Sequence, residues 1–158
     1  VCRRYRNYMR GIVNPDKNIR NVVTNDLWNP REHEIEQLGD HYWEKHKKRF
    51  RPRPGEDRVH PPVLMKPQIK LLSEIAKVFQ NHHTKYKIII SPEYKQIRMN
   101  PADVKQLKEI FGAENVYDFS GINQYTNEIR NYYEGSHYRP CLGRQLLDSV
   151  YATHEPGR

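Results

Sequence analysis

The chain has 158 residues and a mass of 19.0 kDa, enough for one domain with a real core and too few for two enzymes in tandem. Its 27 Lys and Arg against 19 Asp and Glu give a net charge of +8, which favours an anionic partner (nucleic acid, lipid heads or an acidic polysaccharide) without choosing among them. A mean hydropathy of -1.00 and the lack of an apolar run near ~18 residues exclude a membrane span, whereas 11 Tyr, 4 Phe and 2 Trp argue against full disorder.

Residues 1–28 are weakly patterned; Val22, Val23 and Thr24 predict a short strand, and Tyr5, Tyr8 and Met9 a short helix. No signal peptide is expected from Val1-Cys2-Arg3-Arg4, which has no apolar stretch behind its charges, and the lack of a starting Met fits a processed or excised chain. Cys2 and Cys141 have no metal-like spacing. A helix is predicted from about 30 to 50. Asn29 caps it, Pro30 suits its first turn, and glutamates at 32, 34 and 36 precede cations at 45, 47, 48 and 49, as the helix dipole prefers. Ile35, Leu38, Tyr42 and His46 share one face of it.

Prolines at 52, 54, 61, 62 and 67 make residues 51–68 a connector. The division expected is a mainly helical basic segment or cap with its linker over 1–60 and an α/β portion over 61–158. After the connector, Ile69, Leu72, Ile75, Ala76 and Phe79 recur at helical spacing, and residues 86–90 give a β-branched run suited to a buried parallel strand. Asn100-Pro101 opens a helix striped by Val104, Leu107, Ile110 and Phe111 and ended at Gly112. Residues 116–119 form a second strand, and Leu142, Leu146, Leu147 and Val150 a last helix behind Pro140. Helix, strand, helix, strand, helix is an α/β order with parallel strands. A doubly wound sheet needs about five strands. The chain therefore resembles the closing half of such a domain.

Reactive groups in open parallel sheets gather on loops after the strands' carboxyl ends. Two such loops are Ser91-Pro92-Glu93-Tyr94 and residues 120–139, a long polar segment without plain strand or helix pattern. Within the second, Glu134-Gly135-Ser136-His137 sets a carboxylate three residues before an imidazole. That spacing lets Glu134 accept from one ring nitrogen, so that the other can take a proton from a hydroxyl. The alternative is a His137 that satisfies a backbone carbonyl. Asp118 is a second possible partner for the ring, or a cap for the turn after its strand.

The block Tyr117-Asp118-Phe119-Ser120-Gly121-Ile122-Asn123, followed by Asn131-Tyr132-Tyr133-Glu134-Gly135-Ser136-His137-Tyr138-Arg139-Pro140, resembles the C-terminal block of the SGNH/GDSL-type hydrolase-like family, including bacterial cell-envelope members. Over about residues 69–151, the resemblance implies the C-terminal half of a flavodoxin-like three-layer α/β/α domain. It likens Ser91-Pro92 to the segment after the penultimate strand. It implies His137 as the base of a Ser-His-acid triad, Glu134 in place of the usual Asp, and Arg139, Tyr133 and Tyr138 on the substrate side, although Arg139 equally suits a pair with Glu134. The activity implied is hydrolysis or transfer of an O-acyl ester on an envelope carbohydrate, without a cofactor. The family's Gly-Asp-Ser block and its Gly and Asn oxyanion blocks have no counterpart here. Among Ser73, Ser91, Ser120, Ser136 and Ser149 none suits a nucleophile, so the chain alone is expected to be inactive.

A different class remains, a non-catalytic basic module for an anionic polymer or membrane surface. Residues 45–53 hold the densest positive run, with a second at Arg3, Arg4, Arg6 and Arg10. A solvated basic face is the plainest reading, and nucleic acid is disfavoured for want of a motif in fold context. His33 with Glu36, His41 with His46, and His82-His83 lack zinc-site spacing, so no metal is expected. Tyr125, Ile129, Tyr132 and Tyr133 fit either an aromatic platform for sugar or the underside of a packed loop.

Overall fold

The computed structural model describes residues 19–20, 27–53 and 55–152. The chain divides into two compact units, Val1–Lys47 and Lys48–Arg158. Residues 48–60, expected as the end of the basic segment and its linker, thus belong with the second unit. The strand expected at Val22, Val23 and Thr24 and the helix expected at Tyr5, Tyr8 and Met9 lie outside the described residues.

In the first unit, β1 (Ile19–Arg20) pairs antiparallel with β2 (Leu27–Trp28). The helix expected over 30–50 is interrupted, forming α1 (Arg31–Leu38) and α2 (His41–Lys45). Gly39 is the reason: it takes φ 54° and ψ -134°, a conformation open to a residue without a β-carbon, while its N–H closes α1 onto Ile35. Asn29 does cap the start, its side-chain oxygen accepting from Arg31 N at 3.0 Å. Across the break, Glu34 accepts from Lys45 Nζ at 2.9 Å and His46 Nε2 at 2.8 Å. Burial by itself would raise the Glu34 carboxyl, but these two bonds and the charges behind them outweigh it and hold the group below its ordinary value.

The second unit is α/β with parallel strand pairs. In chain order it contains β3 (Arg58–Val59), α3 (Lys66–Asn81), β4 (Ile88–Ile90), β5 (Ile97–Arg98), α4 (Pro101–Phe111) and β6 (Val116–Asp118). β4 pairs with β6 in parallel, Ile88 opposite Val116 and Ile90 opposite Asp118, while β3 pairs in parallel with β5. Ala76 of α3, Leu107 and Phe111 of α4 and Val116 are buried together, with Ile88, Ile90, Phe79 and Tyr86 packed around them. Strand geometry turns Ile89 to the opposite face from this core.

Asn100 is extended, as a residue before proline prefers, and its side chain caps α4 by accepting from Ala102 N at 2.9 Å. Inside the first turn, Asp103 is buried and accepts from Val63 N at 2.8 Å and Leu64 N at 3.2 Å, which ties the segment ahead of α3 to α4. Among the described residues no helix is long and apolar enough to cross a membrane.

Candidate functional site

Residues 120–139, expected as a loop without regular structure, form α5 (Gln124–Asn127), a 3-10 turn (Ile129–Asn131) and a hairpin of β7 (Tyr132–Glu134) and β8 (His137–Tyr138), before α6 (Pro140–Ala152). Much of the segment's polarity serves its own backbone. Asn123 Oδ1 accepts from Tyr125 N and Thr126 N, and Thr126 Oγ1 accepts from Asn123 N, a reciprocal cap on a helix of one turn. Asn131 Nδ2 donates to Tyr125 O at 2.8 Å.

A bulge shapes the hairpin. Tyr132 faces Tyr138 and Glu134 faces His137, which leaves Tyr133 as the extra residue on β7. Strict alternation sends neighbouring side chains to opposite faces, yet Tyr132 and Tyr133 are both buried, at 1% and 3% exposure. The extra residue reconciles the two. Tyr132 packs with Tyr94, Leu142 and Leu146, its ring 5.5 Å from that of Tyr94. Tyr133, expected on the substrate side, therefore has its ring inside the fold.

Beyond the bulge the next side chains emerge. Glu134 Oε1 contacts His137 Nδ1 across the two-residue turn, and Glu134 Oε2 accepts from Ser136 N at 3.1 Å. A carboxylate can only accept, so in the neutral ring Nδ1 carries the proton and Nε2 the lone pair. The His137 side chain is 72% exposed and that of Glu134 18%. The ring thus faces solvent while its partner is held from two sides. Neither Gly135 nor Ser136 has positive φ, so the turn lacks the mirror-image geometry that tight hairpins favour. Contacts hold it instead: Gly135 N donates to Arg49 O at 3.3 Å, and a β-carbon on Gly135 would lie 3.4 Å from that oxygen.

No protein-family model, curated protein or solved structure matches this chain.

Tyr138 is 38% exposed on β8. Arg139 donates from its guanidinium to Arg130 O at 3.1 Å and from its backbone to Asn131 O at 2.8 Å, anchoring the end of β8 to the 3-10 turn. The other loop reaches the same core: Pro92 is fully buried and its carbonyl accepts from Tyr132 OH at 3.2 Å, whereas Ser91 is exposed. Asp118, the alternative partner for the ring, instead accepts from Ser120 N and from Ser120 Oγ at 2.6 Å. It caps the turn after β6.

No hydroxyl among the described residues bonds to His137. Ser120 Oγ is engaged by Asp118 and Met99 N, and Ser73 Oγ donates to Ile69 O within α3. An open cavity of about 610 Å³ is lined by Tyr125, Asn131, Gln145, Asp148 and neighbours, and one of about 440 Å³ by Arg98, Val104, Lys105 and Asp118 among others. Neither takes in Glu134 or His137. Among the described residues no three His, Cys, Asp or Glu side chains converge as metal ligands. His33 lies 3.6 Å from Glu36 and His41 3.1 Å from Glu44, both as exposed neighbours on their helices.

Arg49 and Arg53, legible in the sequence only as members of the basic run 45–53, also hold the fold. The Arg53 guanidinium lies 4.2 Å from the centre of the Tyr94 ring, and its Nη1 donates to Asn127 O at 3.1 Å. Neither bond has a local sequence signal, because each joins residues far apart in the chain.

Proposed function

We propose that this chain supplies the acid/base half of a site that hydrolyses or transfers O-acyl esters, in the manner of the C-terminal half of a flavodoxin-like SGNH-type domain. The substrate class that goes with this reading is an acylated carbohydrate of a bacterial envelope. One observation supports it above the rest: Glu134 holds His137 by Nδ1, so Nε2 is the basic nitrogen and stands in solvent.

In the reaction, a serine hydroxyl attacks the ester carbonyl while His137 Nε2 removes its proton. The tetrahedral intermediate collapses as the same proton passes from Nε2 to the departing alkoxide, leaving an acyl-serine and a free alcohol. Water or a second alcohol then repeats the cycle and releases the acyl group. Glu134 stabilises the transient imidazolium and keeps Nε2 aimed outward. Tyr138, exposed beside His137 on β8, touches substrate in this reading, and Arg139 anchors the end of β8 to the 3-10 turn. The attacking serine is not among the described hydroxyls near the ring, so it comes from outside the arrangement seen here.

The test is to assay the gene's whole product and the 158-residue chain on 4-nitrophenyl acetate and on a peracetylated sugar. The whole product turns over ester and loses about 10²–10⁴-fold in rate in His137→Ala, while the chain alone is inactive. Turnover by the whole product that survives His137→Ala would overturn the reading. Turnover by the chain alone that His137→Ala abolishes would place the nucleophile within it.

A further inference from the structure

Resting on that reading, we infer that the ester handled at His137 is borne by an anionic glycan, whose phosphate or carboxylate groups are held by the basic segment around Arg49 and Arg51.

The backbone bond from Gly135 N to Arg49 O, at 3.3 Å, lays residues 48–53 against the turn between Glu134 and His137. Phe50 and Arg53 fasten the segment from within. The Phe50 ring lies 5.3 Å from that of Tyr94, edge to face, and the Arg53 guanidinium covers Tyr94 while binding Asn127 O. Lys48, Arg49 and Arg51 are exposed, and no carboxylate among the described residues pairs with them. Glu134, the acid next to them, has both oxygens engaged by His137 and Ser136. Three uncompensated cations therefore stand on a segment bonded to the turn that carries the base.

Guanidinium groups match planar oxyanions by paired hydrogen bonds, and a fixed cluster of one sign concentrates counter-charged ligands nearby. A nucleic acid would also be attracted, but its single strands are gripped by aromatic faces that stack on bases. Phe50, the aromatic between Arg49 and Arg51, is turned inward onto Tyr94 and offers no such face. A basic segment that presents no stacking ring of its own, with Tyr138 as an exposed ring beside it, suits a glycan with oxyanions along its length.

Four probes test this on the 158-residue chain by calorimetric titration: polygalacturonate oligomers, a phosphorylated mannan, neutral dextran and an oligothymidylate. The His137 ring signals are followed by NMR in parallel. At least one anionic glycan is expected to bind more tightly than dextran or oligothymidylate, to weaken with salt and to shift the His137 signals; which one does so separates carboxylate from phosphate. Arg49→Gln with Arg51→Gln preserves the Arg49 carbonyl bond to Gly135 and lowers affinity about tenfold or more. Equal binding of dextran, tighter binding of oligothymidylate, undiminished affinity in the folded double variant, or unmoved His137 signals would each overturn the inference. Should the double variant unfold, salt dependence and the His137 signals of the unaltered chain decide it. The two readings fail separately, because His137→Ala removes turnover by the whole product yet leaves glycan binding in place.

Discussion

Tyr132 donates its hydroxyl to the carbonyl oxygen of Pro92 at 3.2 Å, joining inside the fold the loops that follow β4 and β6. Both partners are fully buried, so the bond sits where an unmade one is costly. It positions β7, which ends at the half-buried Glu134 facing the exposed His137 of β8.

Burial pushes the Tyr132 phenol up to about 12 from its ordinary 10.0. In the unfolded chain the phenol ionises first, so its contribution to stability is whole below pH 10.0 and is lost as pH rises through about 12. A tyrosinate absorbance titration should show a late-ionising group that is missing in Tyr132→Phe. The same variant should lose about 1 kcal/mol at neutral pH in denaturant unfolding, and no loss would show the Pro92 bond to be idle.

For Glu34 the sign is opposite. Its carboxyl is held below the ordinary 4.5, so its stabilisation is whole above that value and disappears as pH falls through the lower folded value. Carboxyl-carbon NMR should give Glu34 a midpoint below 4.5, and Lys45→Ala should move it upward. A midpoint unmoved by that change would mean that the Lys45 bond does not form in solution.

Asp103→Ala removes the acceptor of two backbone donors, Val63 N and Leu64 N. The expected cost is about 1–3 kcal/mol in chemical denaturation, with faster amide exchange at Val63 and Leu64. Unchanged exchange at both would show that those amides find other partners.

Gly112 ends α4 at φ 87° and ψ 134°, and a β-carbon there would meet the Glu114 carboxylate at 2.5 Å. The carboxylate can swing away, but the backbone conformation remains strained for alanine. Gly112→Ala should therefore cost about 1–3 kcal/mol, and Gly112→Ala with Glu114→Ala should recover little of it. Full recovery in the double variant would assign the cost to the clash.

The contact between Glu134 and His137 is open to direct observation. Long-range proton–nitrogen spectra of the neutral ring should show Nδ1 protonated and Nε2 bare, and Glu134→Ala should mix the two forms. A ring already mixed in the unaltered chain would remove the orienting role of the carboxylate.

The helices at 66–81, 101–111 and 140–152 and the strands at 88–90 and 116–118 were legible because each buries a stripe whose period the sequence states directly. The break at Gly39 is hidden in the sequence because a helical charge order runs straight through it. Residues 120–139 were opaque for a different reason. One-turn helices display no period, and the bulge at Tyr133 breaks the alternation that would have marked β7. The Glu134 and His137 pair was readable because three residues and a turn suffice to join them. Arg49 was not, since nothing near residue 49 records that its carbonyl meets Gly135.

Parity gives the bulge a last consequence. Deleting Tyr133 would restore simple alternation with Tyr132 still inward and Glu134 still opposite His137, and would leave empty the interior space that the Tyr133 ring fills. The bulge thus lets one short strand bury two adjacent rings and still present its acid to the imidazole across the turn.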